Sequence, residues 1–199
     1  MERVVLPAEE SRPQETDFLE EPLLNEKILI QSQRLYVRTW KQSDLDRLYH
    51  VMSQPRTHLY TQEDPWSRED TQSWLEWHLD HRIGWEVGTF NCPLILRATD
   101  QLIGVVGLNP FLQDERIPEI EWQIGPEHWG KGYATEIGRA MLSYGFQEAG
   151  FPAIMGFALS HHVPSRRVME KIGMTYLYEK EDHGQTKSFY RIERYDFVI

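Results

Sequence analysis

Gly125-Pro126-Glu127-His128-Trp129-Gly130-Lys131-Gly132-Tyr133-Ala134-Thr135-Glu136 is the stretch on which the fold turns. Ahead of it, residues 118–125 (PEIEWQIG) alternate apolar and polar, the period of a strand with one buried face. Behind it, residues 132–149 set Tyr133, Ile137, Ala140, Met141 and Tyr144 on one helical face, and Gly150 closes the helix. A strand that passes through glycines into a helix outlines an anion site. The first helical turn leaves N–H groups unpaired and partly positive, while Gly130, Gly132 and the small Ala134 keep side chains clear of the backbone. A glycine after a strand also serves simply to turn a chain. Two nucleotide motifs fail on the letters. Residues 125–132 spell GxxxxGKG, without the hydroxyl that holds magnesium in a triphosphatase loop, and no later strand ends in an aspartate for the metal's other side. The dinucleotide fingerprint GxGxxG fails because Thr135 stands where its third glycine belongs.

Working outward, residues 34–40 (RLYVRTW) alternate as a strand; Ser43 then caps a helix carrying Leu45, Leu48, Tyr49 and Met52, which Pro55 ends. A second helix, residues 67–81, opens with Glu69 and Asp70 in its first turn. Residues 90–98 and 102–108 flank the Thr99-Asp100-Gln101 turn as a hairpin, and 153–160 is a buried apolar strand. Residues 164–172 form a short helix closed by Gly173, and 175–180 and 188–197 are two late strands. The order β α α β β β α β α β β places the chain in the α+β (mixed α/β) class, with one central mixed sheet of about seven strands and helices on both faces.

Residues 1–26 stand apart: eight acids against two bases, with Pro7, Pro13 and Pro22 and no period, read as a flexible acidic extension ahead of a domain spanning 27–199. Phe18, Leu19, Leu23 and Leu24 keep open an arm that packs on a partner subunit; monomer and homodimer are both compatible. With 199 residues, 40% hydrophobic and 26% charged, the chain suits one ordinary globular domain. Its net charge of −10 disfavours nucleic acid, where phosphate contact supplies most of the affinity. No apolar run approaches the ~20 residues of a bilayer-spanning helix, so the expectation is a soluble, cytoplasmic protein with no membrane partner. Cys92, a single cysteine, can build neither an internal disulfide nor a thiolate metal site, and His78 and His81 lack a third ligand, so no metal is expected.

Residues 34–194 resemble the GNAT acetyltransferases, in particular the branch that contains the ribosomal-protein-alanine N-acetyltransferases. The resemblance is carried, in order, by RLYVRTW (34–40), IGVVGL (103–108), EIEWQIGPEHWGKGYATE (119–136), PSRRVMEKIGM (164–174) and SFYRIER (188–194). It implies the GNAT fold and an acetyl-coenzyme A cosubstrate. The turn at 127–134 would hold the pyrophosphate on backbone N–H groups, and the pantetheine would lie in a splay between strands 118–125 and 153–160. The coenzyme residues so implied are Ile124, Trp129, Gly130, Lys131, Gly132, Tyr133, Ala134, His162, Ser165 and Arg166, the last a candidate for the 3′-phosphate beside Arg167. Three letters depart from the pattern: Glu127 stands where Gln or Arg is usual, His162 where Asn is common, and Met169 where many members carry a tyrosine general acid. A thioether cannot donate a proton.

Acetyl transfer to an amine requires a neutral nitrogen, a polarised thioester carbonyl and a proton for the leaving thiolate. Glu119 and Glu121, two apart on one strand, face one side of the sheet and are the candidate bases and acceptor-binding groups, with a solvated strand face as the bland alternative. Backbone N–H groups near Ile124 are the candidate oxyanion donors, and Ser165 is the candidate donor to the thiolate. Trp85 is expected to border the acceptor cleft. The reading is an N-acetyltransferase acting by direct attack on a primary amine, foremost a protein or peptide N-terminus. A polyamine, amino sugar or antibiotic acceptor, or a noncatalytic acyl-coenzyme A binding module, are the alternatives.

Overall fold

The computed structural model describes residues 27–61, 63–80, 91–111 and 114–198. The acidic extension (1–26) and Trp85 lie outside the described residues. Two strands, β1 (Ile28–Gln31) and β2 (Leu35–Arg38), are followed by helices α1 (Leu45–Met52) and α2 (Arg68–Asp80). Then come β3 (Asn91–Leu96), β4 (Gln101–Phe111), β5 (Asp114–Ile124), α3 (Tyr133–Gln147), β6 (Ala153–Leu159), α4 (Val163–Lys171), β7 (Thr175–Asp182) and β8 (Gln185–Glu193). One mixed sheet holds all eight strands in the order β1-β2-β3-β4-β5-β6-β8-β7. The expected order stands with one addition: the sheet has eight strands, not seven, because Ile28–Gln31 folds back on β2. Four residues beside an acidic, proline-bearing stretch are too few to announce a period of their own. Among the described residues no helix is long and apolar enough to cross a membrane.

The sheet's alternation sorts the core into two layers. On one face Ile103, Val106, Leu108, Ile120 and Ile124 pack under Ile137, Met141 and Phe146 of α3 and Met169 and Ile172 of α4. On the other, Tyr36, Trp40, Ile95 and Val105 pack against Leu48, Val51 and Met52 of α1 and Leu75 of α2. Glycines allow the closest approaches. A Cβ on Gly156 would stand 3.1 Å from Met169 Sδ, so the bare β6 backbone is what seats α4. On Gly104 it would stand 2.4 Å from the Gln123 carbonyl oxygen, inside the β4–β5 ladder.

The start of α1 differs from expectation. A 3-10 turn, Gln42–Asp44, precedes the helix, and Asp44 is held by the two terminal guanidinium nitrogens of Arg38 at 2.7 Å and by the Lys41 N–H at 2.9 Å. The buried pair, rather than Ser43, sets where the helix begins. The start of α2 follows the sequence: Asp70 accepts from the Ser67 N–H and hydroxyl, and the Asp70 N–H returns a bond to Ser67 Oγ.

Candidate active site

β5 and β6 run parallel, and both chains turn into helices at the same edge of the sheet. That edge is the usual place for a ligand in a sheet of this kind. The two strands are bridged only at Glu119↔Met155, whereas β4 and β5 pair from Gly104↔Ile124 to Phe111↔Asp114. Beyond the bridge they part and leave a slot. Hydrogen-bond alternation decides what faces it. The Gly125 N–H donates to the Ile103 carbonyl on β4 (2.9 Å), so the Ile124 N–H points the other way, toward β6 and the slot.

At the slot's outer end lies the glycine turn. A 3-10 turn, Pro126–His128, leads to Gly130 and Gly132, at φ +73° and +80°, a left-handed backbone that side chains resist. Gly132 precedes α3 without any side-chain cap, so the first N–H groups of the helix at Tyr133 and Ala134 carry no capping partner. A Cβ at Gly130 would meet nothing within 4 Å, and one at Gly132 only Arg34 Nη2 at 3.6 Å. Open space beside uncapped N–H groups fits a diphosphate.

Glu136, in the first turn of α3, would repel such an anion if left alone. It is occupied: Arg34 Nε donates to it at 2.6 Å, the Arg34 N–H at 2.7 Å and Ser32 Oγ at 2.8 Å. Burial alone would raise its pKa, but these bonds and the guanidinium charge outweigh it and hold the carboxyl below its usual range. Arg34 Nη1 also donates to the Lys131 carbonyl at 3.1 Å, and the guanidinium lies over the Tyr133 ring at 4.7 Å. Sequence reasoning placed Arg34 only in a strand; its reach across to residue 136 was not readable, since nothing local to either residue marks the pair.

Trp129 closes the turn, its Nε1 donating to the Ile124 carbonyl at 2.7 Å with Arg56 over the ring at 5.3 Å. Glu127 lies over Gly125 and reaches Gln54 Nε2 (3.3 Å) and His50 Nε2 (3.3 Å). Its partial burial favours the neutral form, yet its own backbone N–H, Gln54 and the neighbouring histidines win and lower its pKa. The unusual letter at this position therefore serves the contact with α1. Lys131 is exposed on the turn.

Glu119 and Glu121 share the sheet face that carries Val105, opposite Asn109 and Gly107 of β4. Glu119 is half-buried at the vertex where β5 and β6 part. Its pKa is pushed up to about 8, first by burial, then by the charge of Glu121, with Lys187 pulling the other way. Glu121 keeps an exposed surface but is crowded by the surrounding protein. The loss of hydration raises its pKa, Asn109 opposes the shift, and Glu63 adds to it.

On the other wall, Ser165 is buried in the first turn of α4. It lies one turn before Met169 and so on the face turned to the sheet. His162 is the N-cap residue of α4 and its ring stacks on Tyr60, with centroids 3.7 Å apart and planes 7° apart. Burial, then His161, pushes its pKa down to about 4, so the ring is neutral at physiological pH. The His161 ring also lies near Tyr60, with centroids 5.8 Å apart. Arg166, a candidate for the 3′-phosphate, is anchored at the head of α4. Its Nη1 donates to the Ser160 carbonyl (2.8 Å) and its Nε to the Tyr190 hydroxyl (3.0 Å), with Glu179 and Glu170 close by. Among the described residues no cluster of histidine, cysteine or carboxylate side chains could hold a metal.

The match to known proteins agrees with this geometry. Residues 34–175 match the family model described as an acetyltransferase (GNAT) domain. The uncharacterized N-acetyltransferase YnaD of Bacillus subtilis (strain 168) is 32% identical over 145 residues, which cover 73% of this chain and 81% of that protein. Among solved structures, a GNAT-family acetyltransferase from Bacillus anthracis superposes with a TM-score of 0.73 at 28% identity, covering 83% of this chain and 98% of its own. Spermidine N-acetyltransferase from Vibrio cholerae, in complex with CoA and spermine, superposes with a TM-score of 0.68 at 19% identity, covering 82% and 97%. The last of these is a likeness of fold.

Proposed function

The chain belongs to the GNAT acetyltransferases, and from that premise we propose that it acetylates the α-amine at the N-terminus of a peptide or protein by direct attack. The observation that carries this reading is Glu119, a carboxyl at the slot's vertex with a pKa of about 8. A base is most effective when its pKa lies near that of the group it deprotonates at working pH. A peptide α-ammonium titrates near ~7.7 to 8.0, whereas a lysine side chain titrates near ~10.4. Proton transfer from an α-ammonium to Glu119 is thus almost level in free energy, and transfer from lysine runs uphill by about 3 kcal/mol.

Acetyl-coenzyme A, when bound, supplies an activated thioester. The turn at Gly130 and Gly132 and the uncapped start of α3 hold its diphosphate. Glu119 takes the proton from the amine nitrogen, and Glu121 draws the cationic acceptor toward the sheet. The Ile124 N–H faces the slot where a carbonyl oxygen gains charge, and Ser165 offers a hydroxyl from the facing wall. With Met169 packed in the core, α4 offers no acid at that position.

The acceptor is tested by incubating lysine-free peptides with free N-termini, N-blocked peptides that contain lysine, and spermidine with acetyl-coenzyme A while following release of coenzyme A. The α-amine peptides react fastest on this reading. Activity confined to spermidine would favour a second reading, for which Glu63, Glu119 and Glu121 around one cleft form the supporting observation, since they suit an acceptor with several positive charges.

A further inference from the structure

Glu119 and Glu121 are like groups two residues apart on one face of β5, and position alone would leave them competing for the same proton. Their surroundings differ. Glu121 stands in a row with Gly107 of β4 and Asn91 of β3, while Glu119 stands in the next row, opposite Asn109. Gly107 puts no side chain between Asn91 and Glu121. The Asn109 amide leans out of its own row to bridge that gap: Nδ2 donates to Asn91 Oδ1 at 2.9 Å, and a second side-chain bond supports the Glu121 carboxylate. Both amide hydrogens are thereby used. Among the described residues no hydrogen-bond donor reaches Glu119, although it is the direct cross-strand neighbour of Asn109.

The amide is also held from behind. The Asn91 carbonyl accepts from Trp40 Nε1 at 2.8 Å, and Trp40 is buried in the layer under α1 and α2, edge-on to Trp74 at 5.2 Å. Turning the Asn109 amide toward Glu119 would break its bonds to Asn91 and Glu121. The charges around the pair work against the difference between the two carboxyls. Glu63 pushes Glu121 toward its neutral form, and Lys187 of β8 draws Glu119 toward its charged form. Lys187 is itself bound to Asp182 at 2.7 Å, and Arg191, which shares the Glu119 row through Met155, is bound to Glu193 at 2.5 Å. Of the side chains around the pair, Asn109 is thus the one that favours charge on Glu121 without favouring it on Glu119.

We propose that Asn109 is a positioning residue that makes the two carboxylates unequal: its amide keeps Glu121 as the charged group that draws the acceptor's ammonium, and leaves Glu119 to take the proton. This rests on the reading of Glu119 as the base.

The test follows the side-chain carboxyl carbons of both glutamates by NMR as pH is varied, in the intact protein labelled with carbon-13 glutamate. Glu119→Gln and Glu121→Gln supply the assignments. Asn109→Leu keeps the size of the side chain and removes its donor. The Glu121 midpoint is expected to rise by about one pH unit, the worth of one hydrogen bond to a carboxylate, while the Glu119 midpoint stays or falls. Asn109→Asp keeps the shape and adds a negative charge, so both midpoints are expected to rise. With one peptide at pH 7, Asn109→Leu should raise KM about threefold and leave kcat within about twofold, because the change falls on the group that draws the acceptor. Thermal unfolding confirms the fold of each variant, and Asn109→Asp decides alone if Asn109→Leu does not fold. An unmoved Glu121 midpoint in Asn109→Leu, both midpoints falling together as loosened packing would give, or midpoints that do not rise in Asn109→Asp would each overturn the proposal. A Glu119→Gln enzyme with an unchanged pH–rate profile would instead defeat the reading of Glu119 as base, and the titrations would still decide whether Asn109 holds Glu121.

Discussion

Replacing Glu119 by Gln removes a carboxyl that its surroundings hold at a pKa of about 8. With a pKa of about 8, Glu119 is ionised in about one molecule in eleven at pH 7 and about ten in eleven at pH 9. The amine's own titration is common to both enzymes, so it cancels when their rates on one peptide are divided. The ratio of kcat/KM, wild type over Glu119→Gln, should therefore climb about tenfold between pH 7 and pH 9 and flatten above. A working base contributes about 10² to 10⁴ in rate, so the ratio at its plateau should lie in that range. Stability gives an independent reading of the same group. The folded chain keeps a proton on Glu119 that the unfolded chain loses near its ordinary pKa of 4.5, so the group's contribution falls as pH rises from there to about 8. Glu119→Gln should thus gain in Tm over wild type between pH 5 and pH 8.5. A flat rate ratio across the range would refute the assignment of Glu119 as base, whatever the stability shows.

Three further outcomes follow from contacts around the site. Glu121→Gln removes a charge that raises the Glu119 pKa, and Lys187→Met removes one that lowers it, so the midpoints of their pH–rate profiles should move to lower and higher pH respectively. Arg34→Ala frees Glu136 and the Lys131 carbonyl at the head of α3, and calorimetry should show coenzyme A binding weakened about tenfold, with glutamate repulsion restored by low salt. Gly104→Ala would press a methyl against the Gln123 carbonyl within the β4–β5 ladder, and denaturant titration should record a loss of about 1 to 3 kcal/mol.

Local pattern carried most of the fold into the sequence. The glycine turn, the strand before it and the helix after it were all readable, because a period of two gives way to a helical period across residues whose φ only glycine adopts readily. The pair of carboxylates on one face was likewise readable from their spacing. Long-range relations were not. Nothing in the residues around Tyr60 announces a ring 3.7 Å from His162, and Arg34 meets Glu136 only because β2 and α3 pack side by side. The bonds of Arg166 to the Ser160 carbonyl and the Tyr190 hydroxyl were equally hidden, because they depend on how α4 docks on the sheet. β1 escaped notice because its partner, rather than its composition, makes it a strand.

Crystals of the protein with coenzyme A, with the sulfur located by its anomalous signal, test the central claim most directly. The diphosphate is expected against the N–H groups of residues 130–134 and the sulfur in the opening between β5 and β6, beside Glu119. A diphosphate bound elsewhere, or a sulfur outside that opening, would contradict it.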